Sequence, residues 1–336
     1  MPLSSGLGTH AASAQLQTTG QNLRKRLLSE ANELTTGLVD DRISHLRGEL
    51  GALASSESRR RQISGALIST EQTLGMISGI QSALERVSKS TDNLRDALLP
   101  LSYAAPSASL LQHIGQTSKA ALQDMISTLS AQWAGQALFS GSTTDRAPLP
   151  DAKALLTAFV ATLPPDAAAG DIITAAEGFF DDDTGPFLTM LYAGGPPRHV
   201  SADVSGQHAE LPTATDPALR TALREATLGA LLDSPETVIS PSRKRELAQE
   251  LASRNPETTV RLVHLQGRLG GWQAVMSARK EGLLEARDQE QKALGKLIGA
   301  DPYDAAVRLE NTRTQLEALY TVTARVTRLS LVEYLR

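Results

Sequence analysis

Hydrophobic positions in the first forty residues recur with helical spacing. Leu16, Leu23, Leu27, Leu34 and Leu38 advance by 7, 4, 7 and 4, which keeps one apolar stripe on one face of an α-helix. Gly37, Gly48 and Gly51 then interrupt the pattern, so a bend is expected between residues 36 and 52. A second helix is predicted over 56–98. Ile63, Leu67, Leu74, Ile77 and Leu84 follow a heptad seam with Thr70 and Gln81 as polar members, and Ile80, Val87, Leu94 and Leu98 widen it. At about 1.5 Å per residue this makes a rod of about 60 Å. Pro100 and Pro106 end it, and a third helix is expected over 107–137.

The C-terminal flank repeats the pattern. Ser240-Pro241 and Asn255-Pro256 each read as an N-cap followed by Pro at the first helical position. Leu262, Leu265, Leu269, Trp272, Val275 and Met276 form a stripe after them. Asp301-Pro302-Tyr303-Asp304 reads as a helix restart, with a cap, a Pro and an acid in the first turn. The last helix carries Leu309, Leu316, Leu319, Val322, Val326, Leu329 and Leu331. Between the flanks, Asp151–Thr162 and Thr215–Leu232 look helical. Phe187–Tyr192 and His199–Val204 are expected as short strands joined by a turn at Ala193–Arg198, giving a small α/β unit.

Composition sharpens the division. Residues 151–242 hold 9 of the 16 prolines, with 4 basic and 13 acidic residues, a net charge of -9 against -4 for the whole chain. The simplest parse is mainly α: a long helical rod or coiled-coil bundle built from residues 1–147 and 241–336, with an outward-facing acidic domain inserted over 148–240. Aromatics make up 4% of the chain, which favours long helices with thin seams over a thick core. Both chain ends are amphipathic, and chain ends fray unless something holds them. Their stripes either close an intramolecular bundle or complete their packing against neighbouring molecules.

Candidate chemistry is sparse. The chain has no Cys, which excludes disulfides, thiolate metal sites and a Cys nucleophile. The six histidines show no helical zinc-pair spacing. Asp181-Asp182-Asp183 faintly resembles a calcium loop, but position twelve is Tyr192 rather than Glu. Gly267-Arg268-Leu269-Gly270-Gly271 lies within a helical pattern, so it is expected to serve close helix packing or a kink rather than a dinucleotide. No phosphate loop or nucleophile elbow occurs. The expectation is a protein that is not an enzyme, with no cofactor and no metal. The net charge of -4 gives no nucleic-acid footprint. No apolar run reaches a membrane span, and residues 1–20 show no cleaved secretory signal.

Three segments resemble the flagellin superfamily of bacterial flagellar axial proteins. Leu34-Thr35-Thr36-Gly37 followed by Asp40-Asp41 is similar to the N-terminal region of flagellins. Leu138-Phe139-Ser140-Gly141-Ser142-Thr143-Thr144-Asp145 resembles the segment that ends the N-terminal helical part of the hook–filament junction members. Ala318-Leu319-Tyr320, Arg325-Val326 and Leu329-Ser330-Leu331-Val332-Glu333-Tyr334-Leu335 resemble the terminal helix of those members. The resemblance implies a coaxial rod of both chain ends, exported through the flagellar type III apparatus with a chaperone and located outside the cell in the flagellum. Implied partners are hook-associated protein 1, flagellin and copies of itself in a ring. The residues expected at the assembly interface are Leu16, Leu23, Leu27, Leu34, Leu316, Leu319, Val326, Leu329 and Leu331. A divergent filament subunit and a cytoplasmic coiled-coil scaffold remain as alternatives.

Overall fold

Amphipathic stripes of the lengths seen in the flanks form helices once a second surface covers them. The computed structural model describes residues 5–48, 50–103, 106–201, 208–235 and 238–334, with side chains for all of these except 5–13, 102, 201, 253–257, 327 and 329–334. In chain order the elements are α1 (Ser5–Thr36), α2 (Arg42–His45), α3 (Gly51–Leu98), α4 (Ala108–Leu129), β1 (Gln132–Trp133), β2 (Gln136–Ala137), α5 (Ala152–Val160) and α6 (Ala169–Phe180). A π-helical turn (Phe187–Leu191) follows, then β3 (His199–Ser201), β4 (His208–Glu210), α7 (Pro217–Ala230), α8 (Pro241–Ile298) and α9 (Pro302–Tyr334). The protein is mainly α, with long helices and two small antiparallel hairpins among the described residues.

The chain forms two compact units. An end unit comprises residues 1–66 and 283–336, and a middle unit comprises residues 67–282. The compositional shifts near 148 and 240 lie inside the middle unit, where residues of α5, α6 and α7 share one apolar cluster with α3, α4 and α8.

The middle unit has a thick core, against the expectation from aromatic content. All five phenylalanines are buried in it. Phe159, Phe179, Phe180 and Phe187 stack edge-on or tilted with centroids 5.0–6.2 Å apart, a geometry that adds to their area burial. Helix α7 is buried on nearly every side. Asp216 caps it by accepting from Ala218 N at 3.0 Å, and Pro217 opens it. Gly229 allows α7 to approach α4 closely, and Gly115 on α4 makes room for the Leu231–Asp233 turn that follows α7. A Cβ at Gly229 would lie 2.2 Å from Ser118 Oγ, and one at Gly115 would lie 2.4 Å from the Asp233 backbone.

Several local expectations change. The third helix stops at Leu129 because the chain turns into the β1–β2 hairpin. Ala134 (φ 49°) and Gly135 (φ 78°) form its two-residue turn, both left-handed as a primed hairpin turn requires. Trp133 then packs on α3 where Gly75 leaves room: a Cβ there would sit 2.5 Å from the indole. Phe187–Leu191 is a π-helical turn rather than a strand, and β3 pairs instead with β4, with Val200 opposite Ala209. Residues 202–204 of the expected strand lie outside the described residues. Helix α8 runs through Pro256 without a restart. Leu247 and Leu251 before it, and Thr258 and Leu262 after it, all face the core, so tertiary packing overrides the local break.

Gly267, Gly270 and Gly271 provide no close packing, since a Cβ at any of them meets nothing within 4 Å. The acidic turn is consumed by protein partners. Asp182 accepts from Thr184 N and Oγ1 at 2.8 Å, Asp183 faces Arg220 at 3.4 Å, and Asp181 pairs with Arg224. Arg220 also donates to the carbonyls of Phe180 and Asp181 at 3.1 Å, satisfying the end of α6.

Candidate assembly site

The end unit brings the two chain termini together. Helices α1 and α9 pack along one another, and their small residues set the approach: a Cβ at Gly20 would lie 3.3 Å from Leu319 Cδ2. Leu23, Ala305 and Thr312 are buried in this seam. Arg24 Nε donates to Tyr320 Oη at 2.9 Å, and its guanidinium carbon lies 5.7 Å from the ring centroid. Glu33 is the polar anchor. Its carboxylate accepts from Arg308 Nη2 at 2.7 Å and from the Asp40 backbone N–H at 3.0 Å, with only 10% of its side chain exposed.

Gly37 ends α1 with φ +68°, the left-handed conformation in which glycine closes a helix. The chain then forms a short antiparallel bridge between Leu38 and Gly299. Val39 N donates to Ile298 O at 2.9 Å, and Ala300 N donates to Gly37 O at 2.9 Å. Leu53, Leu294 and Ile298 form a small cluster beneath, joined by Leu38, Leu46 and Leu297. The expected restart of the last helix is present: Asp301 Oδ1 accepts from Tyr303 N at 2.8 Å and Asp304 N at 3.3 Å.

Beside the bridge lies a cleft of about 810 Å³. Its walls include the acids Glu30, Glu33, Asp301 and Asp304 and the bases Arg26 and Arg308. Asp41, also on the wall, has its carboxyl held below the ordinary aspartate value, chiefly by the hydrogen bonds from Ser44. Glu30 Oε2 is buried without a hydrogen-bond partner. Among the described residues, no group of three or more His, Asp or Glu is placed to hold a metal ion. No helix of the described residues is long and apolar enough to cross a membrane.

The nine residues expected at the assembly interface divide by burial. Leu23 is buried, and Leu16, Leu27, Leu316 and Leu319 are half-buried in the end unit. Leu34 and Val326 are 40% and 39% exposed. The side chains of Leu329 and Leu331 lie outside the described residues. Further apolar groups that the stripe did not single out are also exposed, among them Leu28, Val307 and Tyr303. Sequence reasoning missed Glu33, because its partner Arg308 is 275 residues away and no local pattern marks it.

No protein-family model matches the chain, and no curated protein sequence matches it. Solved structures do. A candidate flagellar hook-associated protein from Vibrio parahaemolyticus is 16% identical, with a TM-score of 0.51 over 73% of this chain and 95% of that one. FlgL from Bacillus cereus is 12% identical, with a TM-score of 0.47 over 71% and 96%. The likeness to the Vibrio protein is one of fold, and it spans nearly that protein's whole length.

Proposed function

We propose that the protein is a non-catalytic structural component of the bacterial flagellum, of the hook-associated protein 3 type. In this reading it joins hook-associated protein 1 to flagellin through coaxial packing of α1 and α9. One observation carries the proposal: the two terminal helices already pair within the monomer, yet Leu28, Leu34, Val307, Val322 and Val326 stay exposed. Pairing two helices covers one side of each, and the other sides gain burial only from further subunits. Helices of this kind are marginal alone, so their ordering is coupled to assembly. The fold shared with a candidate hook-associated protein supports the same reading, as do the superfamily-like segments at both chain ends. Export through the flagellar type III apparatus with a chaperone, a ring of copies and a location outside the cell belong to this proposal. Residues 148–240 form its outward-facing part.

The test uses substitutions at exposed positions, so that folding is spared. With Leu34→Asp and Val326→Asp combined, the purified chain should keep its circular dichroism and thermal midpoint. Sheared flagella should lack the variant, and cells should retain hooks while shedding flagellin. Normal incorporation and swimming of the double variant would sink the terminal-helix mechanism. A deletion strain that still attaches filaments would sink the flagellar role itself.

A further inference from the structure

The chain passes from one unit to the other only twice, at residues 66–67 inside α3 and at residues 282–283 inside α8. Neither crossing is a loop. Both helices run through without a break, so what the crossings can do depends on how firmly each helix is held there.

Side-chain packing holds them weakly. From Ala54 to Met76 on α3 and from Ser277 to Ala293 on α8, no apolar side chain is buried, and the buried residues are Ser56, Thr70, Thr73 and Glu290. Ile63, Leu67, Leu74, Leu283 and Leu284 stay half-buried. The large core of the middle unit reaches Ile77 and Met276, and the small cluster of the end unit reaches Leu53 and Leu294. Even the shorter of the two stretches, on α8, runs for about 25 Å. Most helical stability comes from packing of an apolar face, and here that support is thin.

The backbone is weakest at the crossings themselves. Gly65 stands beside the α3 crossing and Gly282 at the α8 crossing. Both are exposed, and a Cβ at either meets nothing within 4 Å, so no packing requires glycine there. Elsewhere on α3 packing does require it: a Cβ at Gly75 would lie 2.5 Å from Trp133, and one at Gly79 would lie 3.2 Å from Leu138. The dipeptide Ser78-Gly79 is filled from outside, whereas the same dipeptide at Ser64-Gly65 is open. Gly/Ser pairs are among the few places where helices bend sharply, and an interior glycine weakens the ladder through its backbone freedom. Two ion pairs bracket the weak stretch. Lys280 Nζ meets Glu71 at 2.9 Å, and Arg59 lies 3.6 Å from Glu290. Gly65 falls between residues 59 and 71, and Gly282 between 280 and 290. A bend in one of two paired helices is resisted by the other unless both can yield, and each carries its own glycine.

We infer that Gly65 and Gly282 form a two-helix hinge, at which the end unit changes its angle to the middle unit while both cores stay closed. The inference stands apart from the flagellar reading, since it rests on helix packing within a single chain. Hinges of this kind absorb their motion at a few residues, so the exposed apolar faces of α1 and α9 change direction without either unit unfolding.

The test uses the full-length chain, which has no cysteine of its own. Spin labels at Glu310→Cys in α9 and Gln112→Cys in α4, both exposed positions, report the distance between the units by pulsed electron resonance. Labels at Gln112→Cys and Thr174→Cys, both in the middle unit, give the reference width. The pair across the units should show a broader distribution than the reference. The double variant Gly65→Ala, Gly282→Ala should lose that excess width and keep or raise the thermal midpoint. Each alanine should also slow exchange of the neighbouring amides about fivefold, the propensity difference of about 1 kcal/mol taken at about 1.4 kcal/mol per tenfold. Gly267→Ala with Gly271→Ala, equally exposed but inside the middle unit, is the control and should leave the distribution unchanged. A native distribution as narrow as the reference overturns the inference. So does a width that both alanines leave intact, a width that the control narrows as much, or amide exchange that alanine does not slow.

Discussion

The two units are built from the same kind of helix and bury it differently. In the middle unit, the stripes of α3, α4, α7 and α8 meet one another and the Phe cluster, and Phe180, Leu84, Ile114 and Leu219 are fully buried. In the end unit, α1 meets α9, and Leu23, the most buried leucine of α1 among the described residues, still retains 9% exposure. Periodicity sets which side of a helix is apolar. The number of neighbours that side finds sets how much of it leaves water. The middle unit completes its core within the chain, whereas the end unit has a small cluster of Leu53, Leu294 and Ile298, a half-buried Glu33–Arg308 pair and a backbone bridge, with apolar surface to spare.

That contrast can be broken from either side. The largest effect is expected for Phe180→Ala, which empties a site flanked by three phenylalanines. It should destabilise the middle unit by about 3–5 kcal/mol, measured by urea denaturation. A loss under about 1 kcal/mol would mean that the cluster is not a tight core. Next comes Glu33→Ala in the end unit, which leaves the Asp40 N–H and the Arg308 guanidinium without their acceptor. A loss of about 1–3 kcal/mol should show as faster amide exchange in α1 and α9, with exchange in α6 and α7 unchanged.

Gly37→Ala should cost about 1 kcal/mol through strain alone, since a Cβ there meets nothing within 4 Å. Its signature is earlier exchange of the Val39 and Ala300 amides, and an unchanged exchange rate would show that the turn tolerates a side chain. Leu28→Gln should shift monomer stability by no more than about 0.5 kcal/mol, because the side chain is 69% exposed. A larger loss would mean that the end unit already covers this face.

The smallest effect is acid sensitivity, and both units should share it. Asp41 in the end unit is held below the ordinary value of 3.8 by Ser44. Asp166 and Asp182 in the middle unit are lowered chiefly by hydrogen bonds from Ser240 and Thr184. A lowered folded pKa means that the unfolded chain binds protons first. The contribution is therefore present above about pH 4 and lost as pH falls through the folded values. Asp→Asn variants at these positions should flatten the acid limb of a stability–pH curve. An unchanged limb would place acid sensitivity in other carboxylates.

Much of the fold was legible because its signals are local. The stripe through Leu16, Leu23 and Leu27, the bend at Gly37, the cap at Asp301 and the Asp216-Pro217 start of α7 each depend on residues within a turn or two. The misses were of another kind. The end of α4 depends on Trp133 finding Gly75, and the passage of α8 through Pro256 depends on a core that holds both sides of it. The pairing of β3 with β4 rather than with residues 187–192 depends on where the chain returns. In the end unit, the apolar stripe of α1 through Leu16, Leu23 and Leu27 was legible from spacing, whereas the Glu33–Arg308 and Arg24–Tyr320 contacts were not, since each pair joins opposite ends of the chain.

By itself the sequence determined helix content, the apolar face of each long helix, the principal caps and the lack of thiol chemistry, because these follow from near-neighbour spacing and residue type. Only the tertiary structure decided which faces are covered. Burial depends on residues brought together from distant parts of the chain, and so it alone separated the closed Phe-lined core from the half-covered pair of terminal helices.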